Sequence, residues 1–194
     1  EKQPFEFKGE LKHFDLSAFL QAPRSDLNAI LELAGELTPQ TNGTLSFTIG
    51  NSQLAGHVVS GSGQISFSGM SRIKGEADLR LGDNRLNARG GYGTPGERLE
   101  LDLAAPALAQ FGSGFGGALN AHATLAGSTS KPEIAFEMKG SRLVMPGEHH
   151  LASLSASGSL YHETVNYKME AAGYQRKSEA QMQSLTLAIQ GSRS

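Results

Sequence analysis

The chain of 194 residues has no cysteine and no tryptophan. Without thiols there can be no disulfide, iron–sulfur cluster or thiol nucleophile, and the redox compartment is left open. Aromatic residues make up only 7%, so stacking platforms for bases or sugars are poorly supplied. Charge is sparse and even: 17 basic and 19 acidic residues are scattered singly and give a net −2. No basic run exists to neutralise a phosphate backbone, which makes nucleic acid a poor partner. Long hydrophobic runs are missing too. The longest candidate, Leu103 to Ala109, is small-residued and broken by Pro106, well short of the roughly 20 residues that span a bilayer. There is no signal-peptide pattern and no starting Met, and Glu1 to Leu11 already reads as a strand. The expectation is a segment of a longer protein.

What the chain does have is alternation with a period of two. In Arg72 to Leu81, Arg72, Lys74, Glu76, Asp78 and Arg80 take one side, and Ile73, Gly75, Ala77, Leu79 and Leu81 the other. Successive side chains of a strand point to opposite faces, so this is a strand with one wet and one oily face. The pattern recurs. Phe5, Phe7 and Leu11 oppose Glu6, Lys8, Glu10 and Lys12. Leu27, Leu31, Leu33 and Leu37 share a side, as do Leu45, Phe47 and Ile49, then Ile65 and Phe67, then Leu86, Ala88 and Tyr92, then Leu99, Leu101 and Leu103. Leu119 and Leu125 lie on a further strand, followed by Ile134, Phe136 and Met138, by Leu154, Ala156 and Leu160, by Val165, Tyr167, Met169 and Ala171, and by Leu185, Leu187 and Ile189. Asn42-Gly43 and Gly82-Asp-Asn84 read as hairpin turns, and Thr94-Pro-Gly96 and Ser130-Lys-Pro132 as reversals. Short turns between closely spaced strands imply a meandering antiparallel sheet.

The chain also repeats itself. Leu27-Asn-Ala-Ile-Leu-Glu-Leu-Ala-Gly35 returns as Leu119-Asn-Ala-His-Ala-Thr-Leu-Ala-Gly127, identical at six of nine positions with an offset of 119 − 27 = 92 residues. Leu16 and Phe19 fall on Leu108 and Phe111 at the same offset, and after a three-residue gap Ser52-Gln-Leu54 falls on Ser141-Arg-Leu143. Stacked like units that bury a shared apolar face make an elongated surface rather than one pocket. The expected organisation is one elongated β domain over 1–194, with repeat units of approximately 14–105 and 106–194. Asp15–Leu20 and Pro106–Phe111 break the two-residue period and are expected to form one or two helical turns each, tucked against the apolar face or the sheet edge. Tyr174–Gln183 reads as a loop or a frayed helix.

Catalytic constellations are missing. Gly112-Ser-Gly-Phe-Gly-Gly117 and Gly91-Tyr-Gly-Thr-Pro-Gly96 fit G-x-G-x-x-G, but an alternating strand follows each, where a dinucleotide fold needs a helix. Glycine in tight turns is the better account. His149-His150 is the one adjacent pair among six histidines, and it reads as a solvated turn after Pro146-Gly147 rather than a zinc site, which needs three or four convergent ligands. His13, His57, His122 and His162 read as isolated, with His122 facing water. The carboxylates Glu76, Asp78, Glu97, Glu100, Glu133 and Glu137 sit on evenly wet faces, which does not separate pKa values for acid/base work. No serine occupies a G-x-S-x-G elbow. Asn42-Gly-Thr44 matches a glycosylation sequon, yet a turn explains Asn-Gly. The expectation is a protein that is not an enzyme and needs no metal or cofactor.

That leaves the apolar face. Periodicity alone does not tell a sealed core, as in a sandwich or a β-solenoid, from an open trough, and on general grounds the sealed core is favoured.

Leu101-Asp-Leu-Ala-Ala-Pro-Ala-Leu-Ala-Gln-Phe111, followed by Gly116-Gly-Ala-Leu-Asn-Ala-His-Ala-Thr-Leu-Ala-Gly127, Pro132 and Gly140-Ser-Arg-Leu143, resembles the TamB family, whose relatives include AsmA-like proteins. Asn84-Arg-Leu-Asn-Ala-Arg-Gly-Gly91 leads into that stretch and shares the likeness, which is best from about Leu79 to Leu160. An aromatic C-terminal end is lacking, so the resemblance implies an internal or C-terminal-region piece rather than the terminus itself. It also implies a mostly β fold: a curved antiparallel sheet folded as an open U-shaped trough, a β-taco. The trough would sit in the periplasm of a Gram-negative cell, within a protein anchored in the inner membrane. It would carry phospholipid acyl chains toward the outer membrane and work with TamA, an Omp85-type barrel, in assembling outer-membrane proteins and autotransporters. No catalytic residues belong to the family pattern.

On this reading the groove residues are Leu27, Leu31, Leu33, Leu45, Phe47, Ile49, Ile65, Phe67, Leu79, Leu81, Leu99, Leu101, Leu103, Leu119, Leu125, Ile134, Phe136, Met138, Leu154, Leu160, Val165, Tyr167, Met169, Leu185, Leu187 and Ile189. Two alternatives stand beside it. One is a chaperone or scaffold that receives nascent outer-membrane β-barrels along its strand edges. The other is a sealed structural β-solenoid stalk.

Overall fold

Alternating sequence becomes strand wherever a neighbouring strand can pair with it, and here nearly every segment finds that neighbour in the next stretch of chain. The computed structural model describes residues 2–19, 22–37, 40–69, 71–161, 163–176 and 179–192. It contains β1 (Pro4–Phe14), β2 (Ser25–Glu36), β3 (Asn42–Leu54), β4 (His57–Ser68), β5 (Arg72–Leu81) and β6 (Asn84–Tyr92). These are followed by β7 (Arg98–Ala105), β8 (Gly116–Ser128), β9 (Lys131–Met145), β10 (His149–Tyr161), β11 (Thr164–Arg176) and β12 (Glu179–Ser192). All twelve lie in one sheet in strict sequence order. Each pairs antiparallel with its neighbours, as Leu33 does with Phe7 and Leu45, or Phe136 with Ala123 and Gly158. The fold is therefore mostly β, a single open antiparallel sheet whose outer strands are β1 and β12, as a trough requires.

Because every connection is a reversal, the turns alternate between two long margins. On one margin odd-numbered strands end and even-numbered strands begin; the other collects the remaining turns. Two of the connections on the first margin carry a single 3-10 turn, Leu16–Ala18 between β1 and β2 and Leu108–Phe111 between β7 and β8. Asp15 caps the first, its carboxylate accepting from the Ser17 and Ser25 backbone N–H at 3.0 Å each. These contacts, Ser25 foremost, hold its carboxyl below the ordinary aspartate pKa. Leu20, expected on this turn, lies outside the described residues.

Several turn assignments are corrected by the pairing. Asn42-Gly43 is not a turn; it opens β3, with Asn42 opposite Glu36 and Gly43 opposite Gly35. Gly43 is there because the Phe67 ring lies across it, and a Cβ would sit 2.6 Å from Phe67 Cζ. Tyr174–Gln183 is neither loop nor helix among its described residues, since β11 runs to Arg176 and β12 starts at Glu179. Its polar composition suits strands open to water. Lys131 and Pro132 belong to β9, so that reversal is narrower than expected. Ala55-Gly56 makes an unforeseen turn between β3 and β4, both residues at positive φ (51° and 80°). Gly82 and Thr94-Pro-Gly96 sit in turns as expected, with Gly82 and Gly96 at positive φ.

Among the described residues there is no sealed core. The surface measures 12670 Å², against about 8,900 Å² for a globular monomer of this mass. The buried apolar side chains are few, among them Leu81, Ala105, Leu143 and Leu151.

An uncovered apolar lining

Register turns the alternation into rows that run across the sheet. Residues paired between strands share a face, so one row reads Phe7, Leu33, Leu45, Ile65, Gly75, Gly90, Leu99, Leu125, Ile134, Leu160, Val165, Gly191. The next reads Gly9, Leu31, Phe47, Gly63, Ala77, Ala88, Leu101, Ala123, Phe136, Gly158, Tyr167, Ile189. A third reads Leu11, Ala29, Ile49, Gly61, Leu79, Leu86, Leu103, Ala121, Met138, Ala156, Met169, Leu187. Each row crosses all twelve strands, and the Tyr167 hydroxyl is the one hydrogen-bonding side-chain group in them. Leu27, Leu81, Leu119, Leu154 and Leu185 extend the same face toward the first margin, and Phe67 toward the second. The expected groove residues thus fall on one face of the sheet.

That face is open to solvent. Phe7 is 59% exposed, Ile73 37%, Val165 43% and Ile189 52%. Its surface is levelled by pairing rings with glycines. Phe47 lies across Gly63 and Phe136 across Gly158, where a Cβ would come within 2.6 Å and 2.5 Å of a ring carbon. The Tyr167 ring sits 6.2 Å from that of Phe136.

The opposite face is polar and laced with ion pairs. Arg85 binds Asp78 through two N–H groups and holds its carboxyl below the usual range. Arg89 pairs with Glu100 at 2.9 Å, and Lys8 with Glu32 at 3.3 Å. Such exposed pairs contribute little stability each and serve mainly to keep this face wet. Shallow hollows lie on this polar side, one of about 710 Å³ between Ser46, Gln64, Asp78 and Arg89. These hollows are wide open, with no converged catalytic group among the described residues that line them.

Three histidine readings change. His122 is not isolated: its Nδ1 lies 2.7 Å from Asp102 on the neighbouring strand. His13 Nδ1 lies 3.0 Å from Asp26. His149 and His150 open β10 instead of forming a turn, and His149 stacks on Tyr174 with Nδ1 2.7 Å from its hydroxyl. The Asp102–His122 pairing could have been read from register, because the two residues are directly opposed. His162 lies outside the described residues. Among the described residues no cluster of three or more His, Cys, Asp or Glu side chains has the spacing of a metal site.

The sequence reading also missed the buried polar groups at the first margin. Asn84, 2% exposed, donates from Nδ2 to the carbonyls of Leu81 and Ala107 and accepts from the Ala107 N–H at Oδ1. Ser52, 1% exposed, accepts from Asn28 N–H at 2.8 Å and donates to Asn28 O at 3.1 Å. Asn in a turn and Ser in a strand gave no sign of this, because Ala107 lies in the connection after β7 and Asn28 on the neighbouring strand β2.

A single open layer, oily on one face and charged on the other, defines a class of β-trough proteins. A family model described as TamB, N-terminal domain, matches residues 4–194. The chain belongs to the TamB family. No match is found among curated proteins or among solved structures. Membership gives the chain a TamB-type role in the translocation and assembly module, a non-enzymatic transport and assembly system. TamB proteins span the periplasm and work with TamA. No helix among the described residues is long and apolar enough to cross a membrane.

Proposed function

We propose that this domain is a stretch of hydrophobic conduit, along which phospholipid acyl chains pass through the periplasm toward the outer membrane. The observation that carries this reading is the lining: apolar rows that cross every strand, carry no charge and stand exposed at Phe7, Leu101, Val165 and Ile189. A tail gains about 0.8 kcal/mol for each methylene withdrawn from water, so a dozen methylenes can be held with no hydrogen bond. The wall is non-directional, so a tail can slide with little change in energy. A headgroup finds almost no partner there and stays outside in water.

The groove residues are assigned to the acyl chains on this basis. The inner-membrane anchor and the part played in outer-membrane protein assembly belong to the same proposal. So do the repeat units 14–105 and 106–194. In their favour, each opens with a 3-10 turn, at Leu16 and at Leu108 (108 − 16 = 92), followed by Leu-Asn-Ala on β2 or β8.

Charges in the lining test the conduit. Leu101→Glu or Phe136→Asp in the full-length protein places an unpaired carboxylate on the wall at a local cost of several kcal/mol. The expected result is a folded protein that no longer supports lipid supply to the outer membrane. Normal supply by a folded variant sinks the conduit. A role through strand edges gives a different pattern: such variants would keep outer-membrane protein assembly, and crosslinks to substrate would map to β1 or β12.

A further inference from the structure

The two margins of the sheet are built differently. All register shifts among the described residues fall near the first margin, at Leu11/Phe14, Asp26/Ala29, Ile49/Ser52, Gly116/Ala118 and Tyr174/Gln175. A bulge bends its strand and sharpens the twist, so bulges gathered on one margin curl that margin. Hydrogen bonds tie neighbouring turns on both margins, Leu37 N–H to Gln3 O and Gly69 N–H to Thr41 O on the second, and on the first they also reach from the β5–β6 turn to the second 3-10 turn. Ala55 N–H donates to Arg24 O at 3.0 Å, Gly82 N–H to Val58 O at 2.9 Å, and Asp83 N–H to Gln110 Oε1 at 2.8 Å. Pro23, just ahead of β2, reaches Gly112, just after the second 3-10 turn, with Pro23 Cγ 2.6 Å from where a Gly112 Cβ would stand. Along a flat sheet β2 and β8 would lie about 29 Å apart. The two helical connections therefore meet across the oily face. Leu108 packs beneath them on Leu143 and Leu151, and Asn84 binds the backbone of Ala107.

At the second margin, among the described residues, the lining runs out uncovered. Ile73, Ile134 and Val165, near the ends of β5, β9 and β11 on that side, are all exposed.

We propose that acyl chains join and leave the trough only across this second, open margin, and that the first margin is a permanent hem. The proposal rests on the conduit reading and adds a side to it. Parting the hem would break the bonds of Asn84 and Gln110 and wet Leu143 and Leu151. Crossing the open margin passes Ile73, Ile134 and Val165, which already stand in water.

The full protein, free of native cysteine in this domain, can be given pairs or single cysteines and mixed with phosphatidylethanolamine/phosphatidylglycerol vesicles that carry a photoactivatable acyl chain. Acyl labelling of the domain is read by mass spectrometry. In Leu108→Cys/Leu151→Cys, a short bis-maleimide pins the hem, and labelling should match that of the same protein before pinning. In Ile73→Cys or Val165→Cys, a maleimide–polyethylene glycol adduct crowds the open margin. Labelling should then fall about ten-fold or more, since losing even two buried methylene contacts costs that factor. Loss of labelling on pinning, or full labelling with the adducts in place, overturns the open-margin route. Absence of label in the unmodified protein overturns the conduit as well, which separates the two failures.

Discussion

Asn84 shows how much a single polar side chain can hold in a fold with so little core. Its amide makes two backbone bonds to Ala107 in the connection after β7 and a third to Leu81 at the end of β5, at 2% exposure. Asn84→Ala strands the Ala107 N–H and two carbonyls away from water, a loss of about 2 to 4 kcal/mol. Urea unfolding should show it, and a loss under half a kcal/mol means that water replaces the amide freely. Asp15 offers a second residue-level check, with pH as the variable. Its carboxyl is held below the ordinary value by the N–H groups of Ser25 and Ser17. A depressed folded-state pKa means that its contribution is complete above the unfolded value of about 4 and is lost as pH falls through the folded one. The Ser17 and Ser25 amide resonances should therefore titrate together, with a midpoint below the ordinary aspartate value. Independent midpoints, or one at or above that value, remove Asp15 as the cap.

At the scale of the element, several neighbouring strands combine a ring that needs room with a glycine that gives it, as Phe67 with Gly43, Phe47 with Gly63 and Phe136 with Gly158. Gly158 lies in extended backbone, so what forbids a side chain there is the Phe136 ring, not φ. Gly158→Val should lift that ring off the floor and cost about 1 to 3 kcal/mol through overpacking. Gly50→Ala, with nothing within 4 Å of its Cβ, is the control and should be near neutral. Equal effects on the urea midpoint would mean that the ring moves aside at no cost. These pairs mark the limit of what could be read from the sequence. The faces of the strands were legible because period two is local, and the rows followed once neighbours were taken as sequential. Asn42-Gly43 misled because glycine serves a turn and a ring equally well in sequence; only the register that brings Phe67 opposite Gly43 decides between them. The strands at Tyr174–Arg176 and after Glu179 were hidden because polar residues on both faces leave no period, and pairing with β10 and with each other made them strands regardless. The hem was illegible for the same reason. Bulges at Leu11/Phe14 or Ile49/Ser52 depend on partners across the sheet, and Pro23 and Gly112 have no sequence mark of their meeting.

For the whole molecule, the open layer changes what unfolding exposes. An extended chain of 20.5 kDa presents about 29,700 Å², so folding to 12670 Å² removes about 17,000 Å², where a globular chain of the same mass would remove about 20,900 Å². The denaturant slope scales with that difference, so the urea m-value should be about four-fifths of that of a compact protein of equal length. The deficit has a location: it is the area of the lining that no second layer covers. Anything that fills the trough in the native state restores the missing burial, and a ligand that binds only the folded form raises its stability. Lipid-loaded protein should therefore show both a higher urea midpoint and an m-value moved toward the globular figure, because unfolding then also exposes the lining side chains that the tails had covered. A polar additive bound on the charged face would raise the midpoint without moving the slope. If extracted, lipid-free protein already unfolds with the full globular slope, the apolar face is covered in solution by something other than lipid, and an oily wall standing open along its length is the wrong description of this domain.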